Sequence, residues 1–176
     1  MAKKEKNTQE ILVQNEVVES FNKPIEAEKI ESLNKNKKKF GVAETIESLR
    51  KYEHRPGRAK KFLNIIGSSF EWPVSMLNQY RDFVFWALTD DVGSCEDDIK
   101  TAYNYFVFFD CLDKGEFNKH IDNWILVYNQ EVIEYGQEYT REEQWDKLQE
   151  KPGAIYLPAD LSKHPKIPSA RVVHAQ

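Results

Sequence analysis

Cysteine is scarce in this chain: there are two in 176 residues, Cys95 and Cys111. Both fall on what reads as one helix, and sixteen residues of helix span about 24 Å at ~1.5 Å per residue. A disulfide requires Cα atoms within about 7 Å, so the two are expected to be free thiols, as in a reducing compartment. No CxxC or paired Cys/His spacing is present, which excludes the common zinc modules. Glycine is also sparse, at seven residues, and none stands in GxGxxG or GxxxxGK order. That removes the dinucleotide and phosphate-loop fingerprints. No window approaches the roughly 18 consecutive apolar residues of a membrane helix. The densest run, residues 103–113, is interrupted by Asn104 and Asp110. The basic start, Met1-Ala-Lys-Lys-Glu-Lys, leads into no apolar stretch, so it does not read as a secretory signal. A cytoplasmic or nuclear location is expected, with no membrane partner.

Aromatic residues are scarce in the first third and abundant afterwards. Of 22, only Phe21, Phe40 and Tyr52 precede residue 62, and the other 19 lie between Phe62 and Tyr156. Large aromatics dominate core energetics, so the folded body is placed in the second part. Charge divides the same way. Residues 1–61 hold 15 Lys and Arg against 10 acids, and residues 62–176 hold 10 against 19. The sequence describes a basic arm on an acidic body.

The domain reading follows. Residues 1–61 are a mostly disordered basic arm, too poor in apolar surface to offset the entropy of ordering. A weak helix around Ile11, Leu12, Val13, Val17, Val18 and Phe21 and a short helix over 42–52 interrupt it. Residues 62–115 form an aromatic antiparallel helical hairpin. Its first helix starts at Pro73 as first helical residue, with Met76, Leu77, Tyr80, Phe83, Val84, Ala87 and Leu88 at helical spacing. Ser94 caps the second, with Asp97 three positions on. Residues 116–158 form a small ββαβ unit: strand 124–128, a turn at Asn129-Gln130, and a strand ending at Gly136. A helix capped by Thr140 and Glu143 follows, with Trp145 and Leu148 on its inner face, and then strand 154–157. A two-residue turn would set Leu126 opposite Ile133 and Trp124 opposite Tyr135. Ile125, Val127 and Val132 are expected to pack on the helical hairpin, the alternative being a partner site, and the free strand edge could accept a strand from another chain. Residues 159–176 form an extended polar tail. The fold class is α+β.

Residues 117–157 resemble a small uncharacterised domain family. Its pattern is an aromatic strand of the type Gly-Lys-Trp-Val-Ala, a tight turn, Val-Val-Ala-x-Gly, a helix and a final strand. Trp124, Val132 and Gly136 fall at the matching positions, while Gln130 stands where the family has glycine. The resemblance implies the ββαβ fold and an association with retropepsin-like proteins. A retropepsin loop needs Asp-Thr-Gly or Asp-Ser-Gly, and the chain contains neither. A peptidase would therefore be a longer protein of which this chain is a regulatory or N-terminal segment.

Four groups are candidates for chemistry. Asp90, Asp91, Glu96, Asp97 and Asp98 offer oxygens to a hard cation, but helix capping and the helix dipole account for part of the set. Asp113, Glu116 and His120 share 3 and 4 spacing that on a helix would ligate a transition metal, against Gly115. Cys111 with His120 is a thiol and a base, in a core-like Phe-Phe-Asp-Cys-Leu context. His54, His164 and His174 have no evident partner. None of these is chosen as a site: no catalytic residue, cofactor or metal is expected, and the chain is not read as an enzyme. The basic clusters Lys35, Lys37, Lys38, Lys39 and Arg55, Arg58, Lys60, Lys61 are the candidate phosphate contacts of a nucleic-acid-binding accessory protein. The preferred reading is a non-catalytic protein-interaction or accessory module. Its partner is another protein or a downstream domain of the same one, with nucleic acid as the alternative.

Overall fold

Apolar side chains at i, i+3, i+4 and i+7 start the body earlier than the aromatic distribution implies. The structure is a computed structural model and describes residues 42–53 and 55–165. Helix α1 (Val42–Leu49) continues into a 3-10 turn at Arg50–Tyr52, and α2 follows at Arg58–Ile66. Gly57, at φ 88°, turns the chain into α2, where the Ala59 amide donates to Glu53 Oε1 at 2.6 Å. Ala59, Phe62, Leu63 and Ile66 are all buried, as are Leu49 and Tyr52. The boundary expected at 61/62 thus falls inside a helix. The segment around Ile11 to Phe21, residues 35–39, His54 and His174 lie outside the described residues.

Phe62 is the hub of the first aromatic cluster. Its ring lies 5.1 Å from Phe70, 5.4 Å from Trp72 and 5.2 Å from Phe85. Tyr52 reaches Trp72 at 5.5 Å, and Phe70 reaches Phe106 at 5.5 Å. Such edge and offset contacts each contribute about 0.5–1.5 kcal/mol beyond the area they bury. They join α1 and α2 to the helical hairpin, α3 (Asn78–Thr89) and α4 (Glu96–Asp113).

Both helices of the hairpin start differently from expectation. Pro73 is not the first helical residue: α3 begins at Asn78. Asp113, at the far end of α4, instead accepts the Val74 and Ser75 amides at 2.6 and 3.0 Å and holds a separate turn. The α4 cap is displaced by one residue, with the Cys95 amide donating to Asp98 Oδ2 at 2.8 Å. Ser94 uses its hydroxyl to reach back to the Asp90 carbonyl. Both cysteines are free.

Strands β1 (Trp124–Tyr128), β2 (Glu131–Gly136) and β3 (Ile155–Pro158) make an antiparallel sheet in the order β2-β1-β3. Helix α5 (Arg141–Glu150) connects β2 to β3, which are separated by β1 and are not neighbours. The two-residue turn forms, with Asn129 and Gln130 both at positive φ (50° and 61°), as a type I′ turn requires. Gln130 holds this geometry without being glycine, because its amide donates to Asn104 Oδ1 of α4 at 2.7 Å. Asn104 is buried, and its amide group also donates to the Gly153 carbonyl at 2.8 Å.

Beyond the turn the register departs from expectation. Val127 pairs with Val132 as a two-residue turn demands, but Leu126 pairs with Glu134, Ile125 with Tyr135 and Trp124 with Gly136. Ile133 is the extra residue of a β-bulge. A bulge exchanges the faces of every residue beyond it. Tyr135 therefore joins Ile125, Val127 and Leu157 on one face, and Glu134 joins Leu126 and Tyr156 on the other. Helix α4 packs on all three strands, and Ile125 and Val127 are fully buried. Trp124, Tyr156 and Tyr139 stack on the second face at 5.0 and 4.6 Å.

The segment after β3 is not simply an extended polar tail. It makes a 3-10 turn at Leu161–Lys163 and then buries His164. Among the described residues, no helix is long and apolar enough to cross a membrane.

Candidate functional site

The acidic side chains named as candidate cation ligands are each engaged elsewhere. Asp90 Oδ1 accepts the Val92 and Gly93 amides, and Oδ2 lies 3.2 Å from the Arg58 guanidinium. The Val92 amide first, and Arg58 with it, hold its carboxyl down to about 2. Asp91 pairs with Lys61, and Glu96 and Asp97 with Lys100, while Asp98 caps α4. The second candidate is equally dispersed: Asp113 holds the Val74–Ser75 amides, and the His120 ring lies 4.3 Å from Tyr135. Among the described residues no three of His, Cys, Asp and Glu converge as metal ligands. Burial, with Glu116 beside it, pushes the Cys111 thiol up to about 12. At neutral pH it stays protonated, the inert state of a packed cysteine.

The second basic cluster is split. Arg58 is buried against Asp90. Lys61 reaches the Thr89 carbonyl at 3.1 Å and pairs with Asp91, tying α2 to the end of α3. Arg55 and Lys60 remain exposed. Two of the four cations therefore make ion pairs within the fold. Lys35, Lys37, Lys38 and Lys39 lie outside the described residues.

Among the described strands and α-helices, β2 and α5 contain no buried residue. Thr140 and Glu143 cap α5 reciprocally, with the Thr140 amide on Glu143 Oε2 at 2.9 Å and the Glu143 amide on Thr140 Oγ1 at 3.3 Å. Only two of its ten residues, Trp145 and Leu148, are large and apolar, too few for a stripe that would seat it deeply. Trp145 is not on an inner face: it is 65% exposed. Ile133, set aside from the ladder by the bulge, and Tyr135 are 43% and 42% exposed. Glu134 binds the two elements together, accepting from the Tyr139 hydroxyl and from Lys147 Nζ at 3.4 Å. These contacts, Tyr139 foremost, hold its carboxyl below the usual range.

The surroundings are acidic. Residues 131–151 carry seven acidic side chains against three basic ones. Strand β1 takes a partner on each side, whereas among the described residues the outer edge of β2 pairs with no strand. The other outer strand, β3, is fully buried. Sequence reasoning named the free strand edge but missed Trp145 and Tyr135, because it turned Trp145 inward and paired Tyr135 with Trp124. The low apolar content of α5 was the available sign to the contrary. No family model, no curated protein and no solved structure matches this chain.

Proposed function

We propose that the protein is a non-catalytic interaction module, and that its β2–α5 surface receives an extended, basic segment of another protein. One observation carries this reading: Trp145, the largest kind of side chain, is 65% exposed on a helix with no buried residue. Tryptophan is enriched where protein interfaces concentrate their energy. The free edge of β2 supplies backbone groups for strand addition, with side chains of the added strand alternating between pockets and solvent. The acidic excess of residues 131–151 selects against acidic partners and accelerates encounter with basic ones.

The test is direct binding of synthetic peptides in which lysine alternates with valine or isoleucine, beside acidic and sequence-scrambled counterparts. Binding of the basic alternating peptides, reduced about tenfold or more by Trp145→Ala and weakened by salt, supports the proposal. Trp145→Ala should leave stability within about 0.5 kcal/mol, as for other exposed positions. Equal binding of acidic peptides, or no effect of Trp145→Ala, refutes it.

A further inference from the structure

Trp72 stands in the segment that leads into α3, and its ring is wedged among Phe62, Phe70 and Phe106 at 5.4, 4.9 and 5.9 Å. Those contacts fix the direction of its N–H. The indole Nε1 is buried and has no hydrogen-bond partner. Arg81, in the first turn of α3, lies over the same ring, with its guanidinium carbon 5.9 Å from the centroid. Its Nη2 donates to the Pro73 carbonyl at 3.0 Å and towards the Val74 carbonyl at 3.5 Å. Its Nε, like the indole nitrogen, is buried and unpartnered. Among the described residues, the buried side-chain nitrogens left without a partner are these two, and they belong to adjoining side chains. No carboxylate pairs with Arg81 among the described residues. The acid that serves this turn, Asp113, is engaged by the Val74 and Ser75 amides.

An indole N–H and a guanidinium can only donate. Whatever satisfies both is therefore an acceptor, and a donor left unmet in a buried place costs free energy. Beside a guanidinium without a counter-ion, a charged acceptor binds more strongly than a neutral one. The indole favours the same answer, because an aromatic ring is negative over its face and positive at its edge. Arg81 takes the face, which leaves the N–H edge for negative charge. Neither nitrogen is open to solvent, so the ligand is small. We propose that Trp72 Nε1 and Arg81 Nε bind between them a small inorganic anion of about the size of chloride. The anion neutralises Arg81 and ties the segment carrying Trp72 to the first turn of α3. The site shares no residue with the β2–α5 surface.

The probe is chloride itself, followed on full-length protein by the width of the chloride nuclear magnetic resonance line. Sodium gluconate, whose anion is too large for the site, keeps the ionic strength constant. The expected result is line broadening that bromide displaces saturably. Arg81→Lys keeps the charge and removes Nε, and Trp72→Phe keeps an aromatic ring and removes the N–H. Each should weaken chloride binding about tenfold, the scale of a hydrogen bond to a charged group. Lys60→Gln, which removes an exposed cation of α2, should leave it unchanged. In urea unfolding of the natural protein, chloride at about ten times its dissociation constant should raise the folding equilibrium constant about tenfold over gluconate. Equal unfolding midpoints in chloride and gluconate overturn the proposal. So does broadening that is undiminished in Arg81→Lys, or that Lys60→Gln lowers to the same extent. Should Trp72→Phe fail to fold, Arg81→Lys and the midpoint comparison decide the matter. None of these outcomes depends on Trp145, so the site stands or falls apart from the peptide-binding surface.

Discussion

His164 shows how a residue without evident partners in the sequence becomes a structural fixture. It is buried, with Nε2 2.7 Å from the Pro158 carbonyl and Nδ1 3.0 Å from the Tyr80 hydroxyl. A carbonyl only accepts, so Nε2 carries the hydrogen and Nδ1 accepts from Tyr80. The neutral ring is thereby fully satisfied and clamps the end of the described chain to α3. Burial lowers its pKa below the ordinary histidine value, outweighing the Pro158 carbonyl and the Asp160 carboxylate, which pull upward. Tyr80, the other titratable group on the ring, is shifted up by its own burial. The unfolded chain therefore binds a proton at His164 more readily than the folded one. The associated stability is fully present above the unfolded value, about 6.5, and is lost as pH falls below it towards the folded value. Urea unfolding midpoints should decline between pH 7.5 and 5.5, and His164→Gln should flatten that decline. An unchanged slope in the variant would assign the effect to other groups.

At the scale of elements, the turns decide how the sheet meets the helices. Gly153 stops α5 and leads into β3 at φ 83°, and a Cβ there would stand 2.6 Å from Lys100 Cβ and 3.0 Å from the Asp97 carbonyl oxygen. Gly57 has a similar φ of 88° but nothing within 4 Å. Alanine at Gly57 meets only the left-handed backbone penalty, about 1 kcal/mol. Alanine at Gly153 adds overpacking against the first turns of α4, bringing the cost to about 2–4 kcal/mol. It also disturbs the carbonyl that Asn104 and Thr101 both bind. Urea midpoints at unchanged m-value compare the two, and equal losses would show that the close approach to α4 is not rigid. The same turns set the limit of what the sequence made legible. Periodicity and capping signals located the helical hairpin, both strands of the β-hairpin, the Thr140 cap and the two-residue turn, because each rests on neighbours in sequence. The bulge at Ile133 was not legible, since an alternating apolar strand with an extra residue looks like one without it. Its effect was to move Tyr135 and Glu134 to opposite faces, and with them much of the candidate surface. The α4 cap slipped by one for a related reason: Ser94-Cys-Glu-Asp-Asp98 offers two overlapping boxes, and the Asp90 carbonyl claims the serine.

At the scale of the whole molecule, charge and aromatic content suggested a boundary that packing does not respect. Residues 42–61 are basic and contain one aromatic residue, Tyr52, yet they supply Leu49, Tyr52 and Ala59 to the core and Arg58 to the buried pair with Asp90. Composition averaged over the first 61 residues hid the Ala59, Phe62, Leu63, Ile66 series, which straddles the apparent border. A chain starting at residue 62 would begin inside α2 and leave Phe62, Phe85 and Trp72 without the Tyr52 side of their cluster. Loss of a single buried leucine costs about 2–5 kcal/mol, against a total stability of about 5–15 kcal/mol. Several such losses together exceed what the remainder can absorb. A 62–176 fragment should therefore bind a hydrophobic dye, lose the near-ultraviolet circular dichroism of the full chain and unfold without a cooperative transition. A cooperative transition at the full-length midpoint would instead place the start of the body at residue 62. This bears on the nucleic-acid alternative: loss of binding on deleting residues 1–61 would report unfolding as readily as loss of contacts. Charge removal at Lys35, Lys37, Lys38 and Lys39 tests that alternative with the body intact, and a salt slope unchanged by it would exclude these lysines as phosphate contacts.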